Sequence, residues 1–167
     1  MTFSPICEDI ECLKEFKSNS LYAWGKKRRI VALMFDGIAY RRVLDVGCGE
    51  GEQLESYIKG GALGVGLDID FGKIKKAKLR NDKRTAFLCG DAQKLPFKDE
   101  TFDLVIATEV IEHIPDHDAL LSEIWRVLVP NGHLILSTPN ELQISACLRR
   151  LIERIKKKKY FDSPTHI

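Results

Sequence analysis

Short apolar runs alternate along this chain with charged or glycine-rich stretches, and the spacing of apolar positions switches repeatedly between strand-like and helix-like. Arg42-Val43-Leu44-Asp45-Val46 is an apolar run that ends in a glycine cluster, the composition of a buried parallel strand. Residues 52–59 suit a short helix closed by Gly60-Gly61, because glycine tolerates the left-handed conformation that ends helices. Ala62 to Asp68 forms a second apolar run with an acid at its end, and the lysine-rich stretch from Gly72 to Arg80 keeps Ile74, Ala77 and Leu79 among its charges. Thr85 to Cys89 returns to strand composition.

After the turn-like Leu95-Pro96-Phe97-Lys98-Asp99-Glu100, residues Phe102 to Ala107 predict a fourth strand. Asp118 to Leu128 predicts a helix with Leu120, Leu121, Ile124, Val127 and Leu128 on one side. Val129-Pro130-Asn131-Gly132 breaks it, His133 to Ser137 is a fifth strand, and Leu142 to Ile155 is a closing helix. An amphipathic helix from Leu21 to Phe35 precedes the whole series. Strand and helix alternating in this way predict an α/β fold, a doubly wound, mostly parallel sheet with helices on both faces.

The 167 residues, 44% of them apolar, suffice for one sizeable core and leave little for a second, so a single domain is expected. Its parts are an N-terminal helical segment over 1–40, a core over 41–140, and a basic helix and tail over 141–167. No apolar stretch is long enough to span a bilayer, and acids stand near the N-terminus where a signal peptide carries positive charge. A soluble cytoplasmic protein is expected. The five cysteines (Cys7, Cys12, Cys48, Cys89, Cys147) show no Cys-x-x-Cys spacing, which argues against structural zinc and a disulfide framework.

The formal charge of +2 hides a segregation. Residues 43–140 hold 16 acids against 11 bases, whereas residues 149–159 hold seven bases (Arg149, Arg150, Arg154, Lys156, Lys157, Lys158, Lys159) against Glu153 alone. Such a run is ordinarily a solvated helix face; contact with RNA or another polyanion is its functional reading.

In open parallel sheets ligands sit beyond the C-terminal strand ends, near the point where strand order reverses. Gly47, Cys48, Gly49 and Gly51 follow the first strand directly and precede a helix, so the backbone can turn sharply and approach a ligand. Asp68 ends the second strand 21 residues after Gly47, where a carboxylate can accept from a ribose diol. That spacing fits a dinucleotide site equally well, but the pattern Gly-x-Gly-x-Gly lacks the Gly-x-Gly-x-x-Gly of the dinucleotide fingerprint.

Val43-Leu44-Asp45-Val46-Gly47-Cys48-Gly49-Glu50-Gly51, Gly64-Val65-Gly66-Leu67-Asp68-Ile69 and Gly90-Asp91-Ala92-Gln93-Lys94-Leu95-Pro96-Phe97 together resemble the class I S-adenosylmethionine-dependent methyltransferases of the ubiquinone-biosynthesis type. Phe102-Asp103-Leu104-Val105-Ile106 with Glu109-Val110-Ile111-Glu112-His113-Ile114, and Leu128-Val129-Pro130-Asn131-Gly132-His133-Leu134, extend the resemblance over Arg41 to Asn140. It implies S-adenosyl-L-methionine as cofactor, bound by Asp45 and the Gly47 to Gly51 loop with Cys48 on the methionine side and by Asp68 at the ribose. Ile69 would pack on the adenine face, Asp91 would accept from the exocyclic amine beside the backbone of Ala92, and Glu109 would line the donor site. The implied function is methyl transfer to a small-molecule acceptor, with an RNA acceptor or a non-catalytic donor-binding subunit as alternatives.

Methyl transfer from a sulfonium needs mainly alignment, so a general base is optional. Glu109 and His113 are the candidates, with Glu112 and His117 beside them at the mouth of the predicted site. Glu109-x-x-Glu112-His113 also resembles the metal-binding stretch of small-RNA 3′-terminal 2′-O-methyltransferases, but the downstream histidine-rich motif of those enzymes is missing, so no metal ligand is assigned. The family usually closes its sheet with a C-terminal antiparallel strand pair, which is not expected within these residues; either the chain is a truncated version or another chain supplies that edge. An exposed fifth strand would then invite a second copy or a partner subunit.

Overall fold

The computed structural model describes residues 39–58, 60–80 and 83–137. The helix expected at Leu21 to Phe35, the helix expected at Leu142 to Ile155 and the basic run at 149–159 lie outside them. Contacts divide the chain between Ala39 and Tyr40, and the elements below all belong to the unit that starts at Tyr40.

Five strands build one parallel sheet: β1 Arg42–Val46, β2 Leu63–Asp68, β3 Thr85–Cys89, β4 Phe102–Thr108 and β5 Leu128–Ser137. Their spatial order is β3-β2-β1-β4-β5, so the order reverses between β1 and β4. The helices are α1 Leu54–Tyr57, α2 Phe71–Ala77 and α3 His117–Val127; a 3-10 turn at Lys78–Arg80 prolongs α2 and another at Ile111–His113 follows β4.

The central strands are buried on both faces, which is why they read as near-continuous apolar runs. On one face Leu44, Val46, Leu67, Val105 and Ala107 pack with Leu120, Leu121, Ile124 and Val127 of α3. Asp116 caps α3, its side chain accepting from Ala119 N at 2.9 Å. On the other face α1 and α2 approach closely, and Leu54 lies against the backbone of Gly64. The doubly wound arrangement is thus the one expected.

Two elements depart from expectation by more than one residue at an end. The helix expected over 52–59 is the single turn of α1: Gln53 supplies no side-chain cap and Ile58 is already extended. Leu128 does not end α3 but opens β5. The Val129–Gly132 stretch, expected as a break, is a loop-out within β5. Phe102 pairs with Leu128 and Leu104 with His133, so β5 accommodates its extra residues with Asn131 at φ 63°.

A carboxylate ties the two strands that flank the reversal. Asp103 Oδ2 on β4 accepts from the backbone N–H groups of Arg41 (2.9 Å) and Arg42 (2.8 Å), and its Oδ1 accepts from Arg42 Nη2 at 3.1 Å. Partial burial pulls the Asp103 carboxyl upward, but these bonds and the Arg42 charge outweigh it and hold the group below the usual carboxylate range.

Candidate functional site at the C-terminal edge of the sheet

The loop after β1 carries three left-handed glycines, Gly47 (φ 73°), Gly49 (φ 56°) and Gly51 (φ 76°). Their reasons for being glycine differ. A Cβ on Gly47 would run into Val110, and one on Gly51 would stand 2.5 Å from the Phe87 ring and 3.3 Å from Ala77. A Cβ on Gly49 would meet nothing within 4 Å. Gly47 and Gly51 therefore serve the packing of the loop against its neighbours, and Gly49 alone faces open space. Gly47 N and Cys48 N both donate to Leu67 O (2.7 and 3.1 Å), and Gly51 N donates to Cys48 O (2.9 Å), so the loop is anchored to β2.

Asp68 joins the two strand ends. Its Oδ2 accepts from Gly49 N at 2.8 Å and its Oδ1 from Asp70 N at 2.9 Å. The sequence places this carboxylate where it can accept from a ribose diol. It is half-engaged, which fixes its rotation and leaves one lone-pair direction on each oxygen. Asp45, buried at the end of β1, has its carboxyl pushed up to about 7, first by burial and then by the Asp68 charge. Burial first, and then the Asp45 and Asp68 charges, push the Cys48 thiol up, and this buried side chain lies against Gly66.

Beyond Asp68 the chain exposes two large apolar side chains in succession, Ile69 (74% exposed) and Phe71 (69%). Across the β2/β3 boundary stands the loop after β3. Asp91 is exposed; Ala92 is buried into the core cluster. Asp91 Oδ1 accepts from the backbone N–H of Gln93 (2.8 Å) and from Gln93 Nε2 (3.1 Å). The rest of the loop is held from α3. Arg126 donates to Leu95 O (3.0 Å), Phe97 O (2.7 Å), Asp99 Oδ1 (2.8 Å) and both oxygens of Glu123, while Glu123 Oε2 accepts from Leu95 N at 2.7 Å. Nothing in the spacing of Glu123 and Arg126, which look like surface charges on a helix, announces this role.

At the end of β4, Glu109 is held at φ 56°, a conformation that costs energy for any side chain. Its N–H donates to Ser137 O (3.0 Å), and Ser137 Oγ donates to Glu109 Oε1 (3.1 Å), so β5 fixes both its backbone and its carboxylate. Glu112 lies in the following 3-10 turn with Oε2 buried and unbonded among the described residues. His113 is exposed and its backbone N–H donates to Val110 O. His117 opens α3. Among the described residues, no three His, Cys, Asp or Glu side chains converge on a point that could hold a metal ion. Likewise, no described helix is long and apolar enough to cross a membrane.

The strand ends thus bring Asp45, Gly47, Cys48, Gly49, Gly51, Asp68 and Ile69 together around β1 and β2, with Asp91 and Ala92 on one side and Glu109 on the other. This edge lies at a strand-order reversal and carries one bare backbone position at Gly49, the carboxylates of Asp68 and Asp91, and the exposed side chain of Ile69. A family model described as a methyltransferase domain matches residues 44–136. The chain belongs to the class I S-adenosylmethionine-dependent methyltransferases.

Two relatives show the range of the family. The demethylmenaquinone methyltransferase of Streptomyces griseus is 35% identical over 109 residues, 65% of this chain and 47% of its own. A ubiquinone biosynthesis O-methyltransferase of a Bradyrhizobium species is 37% identical over 102 residues, 59% of this chain and 40% of its own. The chain therefore spans about half the length of such relatives or less. Among solved structures, a complex of the Haloferax volcanii Trm112 methyltransferase activator with a methyltransferase aligns with TM-score 0.61 at 30% identity, covering 66% of this chain and 51% of that one.

The family's cofactor, S-adenosylmethionine, fits the residues present. The open position at Gly49 admits a ligand against the backbone, the lone pairs left on Asp68 suit a diol, and exposed Ile69 and Asp91 suit an aromatic amine.

Proposed function

We propose that this domain binds S-adenosylmethionine along the C-terminal edge of the sheet and transfers its methyl group to a small-molecule acceptor. The observation that carries the donor half is the Gly49 N–H bond to Asp68, which joins the glycine loop and the ribose-reading carboxylate into one preformed surface. The donor, when bound, supplies a methyl group already activated on a sulfonium. The protein's task is to hold and align. The Gly47 to Gly51 loop cradles the methionine part above buried Asp45 and Cys48. Asp68 accepts from the ribose hydroxyls, Ile69 packs on the adenine face, and Asp91 accepts from the exocyclic amine beside the backbone of Ala92. Glu109, fixed by Ser137, lines the reacting end; where the acceptor must lose a proton, Glu109 or exposed His113 takes it.

Support for a small acceptor comes from the relatives named for demethylmenaquinone and for ubiquinone biosynthesis. Titration with S-adenosylhomocysteine should give saturable binding that Asp68→Ala weakens at least about tenfold. Turnover of methyl-labelled donor should follow with quinol or phenol acceptors. Preference for a nicotinamide dinucleotide over S-adenosylhomocysteine would overturn the donor assignment, and transfer confined to RNA would overturn the acceptor.

Two observations favour further readings. The seven bases within 149–159 support an RNA acceptor, whose binding should fall steeply with added salt. Among the described residues β5 has β4 as its one strand neighbour, which supports pairing with a second copy or an activating subunit at that edge. A monomeric mass at micromolar concentration, unchanged by candidate partners, would remove the latter.

A further inference from the structure

Gln93 occupies a position that the donor-binding roles above leave unexplained. Its side-chain amide spans two loops. Nε2 donates to Asp91 at 3.1 Å (Oδ1) and 3.3 Å (Oδ2), while Oε1 accepts from the backbone N–H of Asp116 at 3.2 Å, at the entry to α3. The amide can face only one way. Turned over, it would set an oxygen against a carboxylate and an NH2 group against an N–H, so its two partners fix its orientation. Asp116 is itself committed to capping α3. The amide is therefore anchored at its far end to a regular element, and its near end is presented to Asp91.

Asp91 needs such an anchor. It is exposed, two residues beyond β3, and among the described residues its carboxylate has one other bond, to the Gln93 backbone N–H. An exposed carboxylate turns freely about its side-chain torsions and loses that freedom on accepting a ligand bond. Gln93 directs its two donors mainly at Oδ1, which leaves Oδ2 the oxygen with an open lone pair.

We propose that Gln93 is the positioning residue for base selectivity: it sets the Asp91 carboxylate so that one oxygen is aimed at an exocyclic amine and against a carbonyl at the same ring position. The inference rests on the reading of Asp91 as the adenine acceptor. A site built to accept from an amine rejects the analogue that presents an oxygen there, because two acceptors are then forced together. Selectivity thus depends on Asp91 being held, which is Gln93's contribution.

The test is equilibrium binding of S-adenosylhomocysteine and S-inosylhomocysteine to the full chain and to three variants, with the ligand-free melting temperature as a folding control. The wild type should prefer the adenosyl ligand. Gln93→Ala should weaken the adenosyl ligand about tenfold and leave the inosyl ligand nearly unchanged, so the preference narrows by the same factor. Gln93→Glu keeps an acceptor for Asp116 N–H but faces Asp91 with like charge, and should narrow the preference at least as far with the fold intact. Equal weakening of both ligands, or none, in the Gln93 variants overturns the proposal. Asp91→Asn separates the two layers. If it abolishes the preference while both Gln93 variants keep it, the Gln93 role fails and the Asp91 reading stands; if Asp91→Asn keeps the preference, the Asp91 reading fails and the Gln93 role with it.

Discussion

The loop after β1 is shaped by side chains that are missing, the loop after β3 by side chains that reach in from α3. In the first, glycine at 47 and 51 lets the backbone pass beneath Val110 and Phe87, and backbone bonds to Leu67 do the rest. In the second, no residue from 90 to 99 takes a left-handed backbone, and Arg126 with Glu123 supplies the bonds that keep Leu95 to Asp99 in place. The difference teaches what each loop tolerates. A shape made by omission fails when anything is added, and a shape made by bracing fails when a brace is removed.

Substitutions can break that contrast in order of size. Gly51→Ala adds a methyl group 2.5 Å from the Phe87 ring on a left-handed backbone, and should destabilise the fold by about 3 kcal/mol in urea denaturation. Arg126→Ala strips two backbone carbonyls and two carboxylates of their donor and should cost about 2–3 kcal/mol by the same measurement. Arg126→Lys should recover less than half of this, because an ammonium cannot reproduce the fork.

A third effect depends on pH. Asp45 titrates near 7 in the folded protein against an ordinary 3.8. Between those values the unfolded chain has lost a proton that the folded chain keeps, so stability falls as pH rises through this window. Thermal melting should therefore show Asp45→Asn losing less stability than wild type from about pH 5 to pH 8, by on the order of 2 kcal/mol. An identical pH slope in the two proteins would mean that Asp45 is not the group responsible. Gly49→Ala should be the mildest for the fold, about 1 kcal/mol of backbone strain with nothing to strike. On the proposed donor site its added methyl would meet the ligand, so S-adenosylhomocysteine affinity should fall by more than stability does. A variant that loses neither would show that Gly49 does not face the ligand.

The same contrast accounts for what could be read in advance. Gly47, Gly49 and Gly51 stand within five residues, directly after an apolar run, so one local pattern carried the turn. β1 matched its predicted limits because burial on both faces makes it a bounded apolar run; β3, at the sheet edge with Phe87 alone buried, matched on its strand-like composition. The bracing of the β3 loop was invisible, since Arg126 lies 31 residues from Leu95 and no periodicity links them. Likewise the fifth strand was shortened in prediction to its last residues. Pro130, Asn131 and Gly132 signal a break, and only the pairing of Phe102 with Leu128 shows the strand resuming across it. Asp68 was found by position, but its bonds to Gly49 and Asp70 belong to the fold.

The link from Asp103 to Arg41 and Arg42 has a consequence for how the molecule is made. It joins positions 62 and 61 residues apart, whereas β1, β2 and β3 follow one another closely in the chain. During synthesis these three strands can pair as soon as β3 has emerged, but the crevice between β1 and β4 does not exist until the longest loop has closed. A nascent half-sheet thus holds the glycine loop and Asp68 before Glu109 and Val110 stand beside them. On the proposed donor site, ligand binding would by mass action protect the β1/β4 seam against reopening.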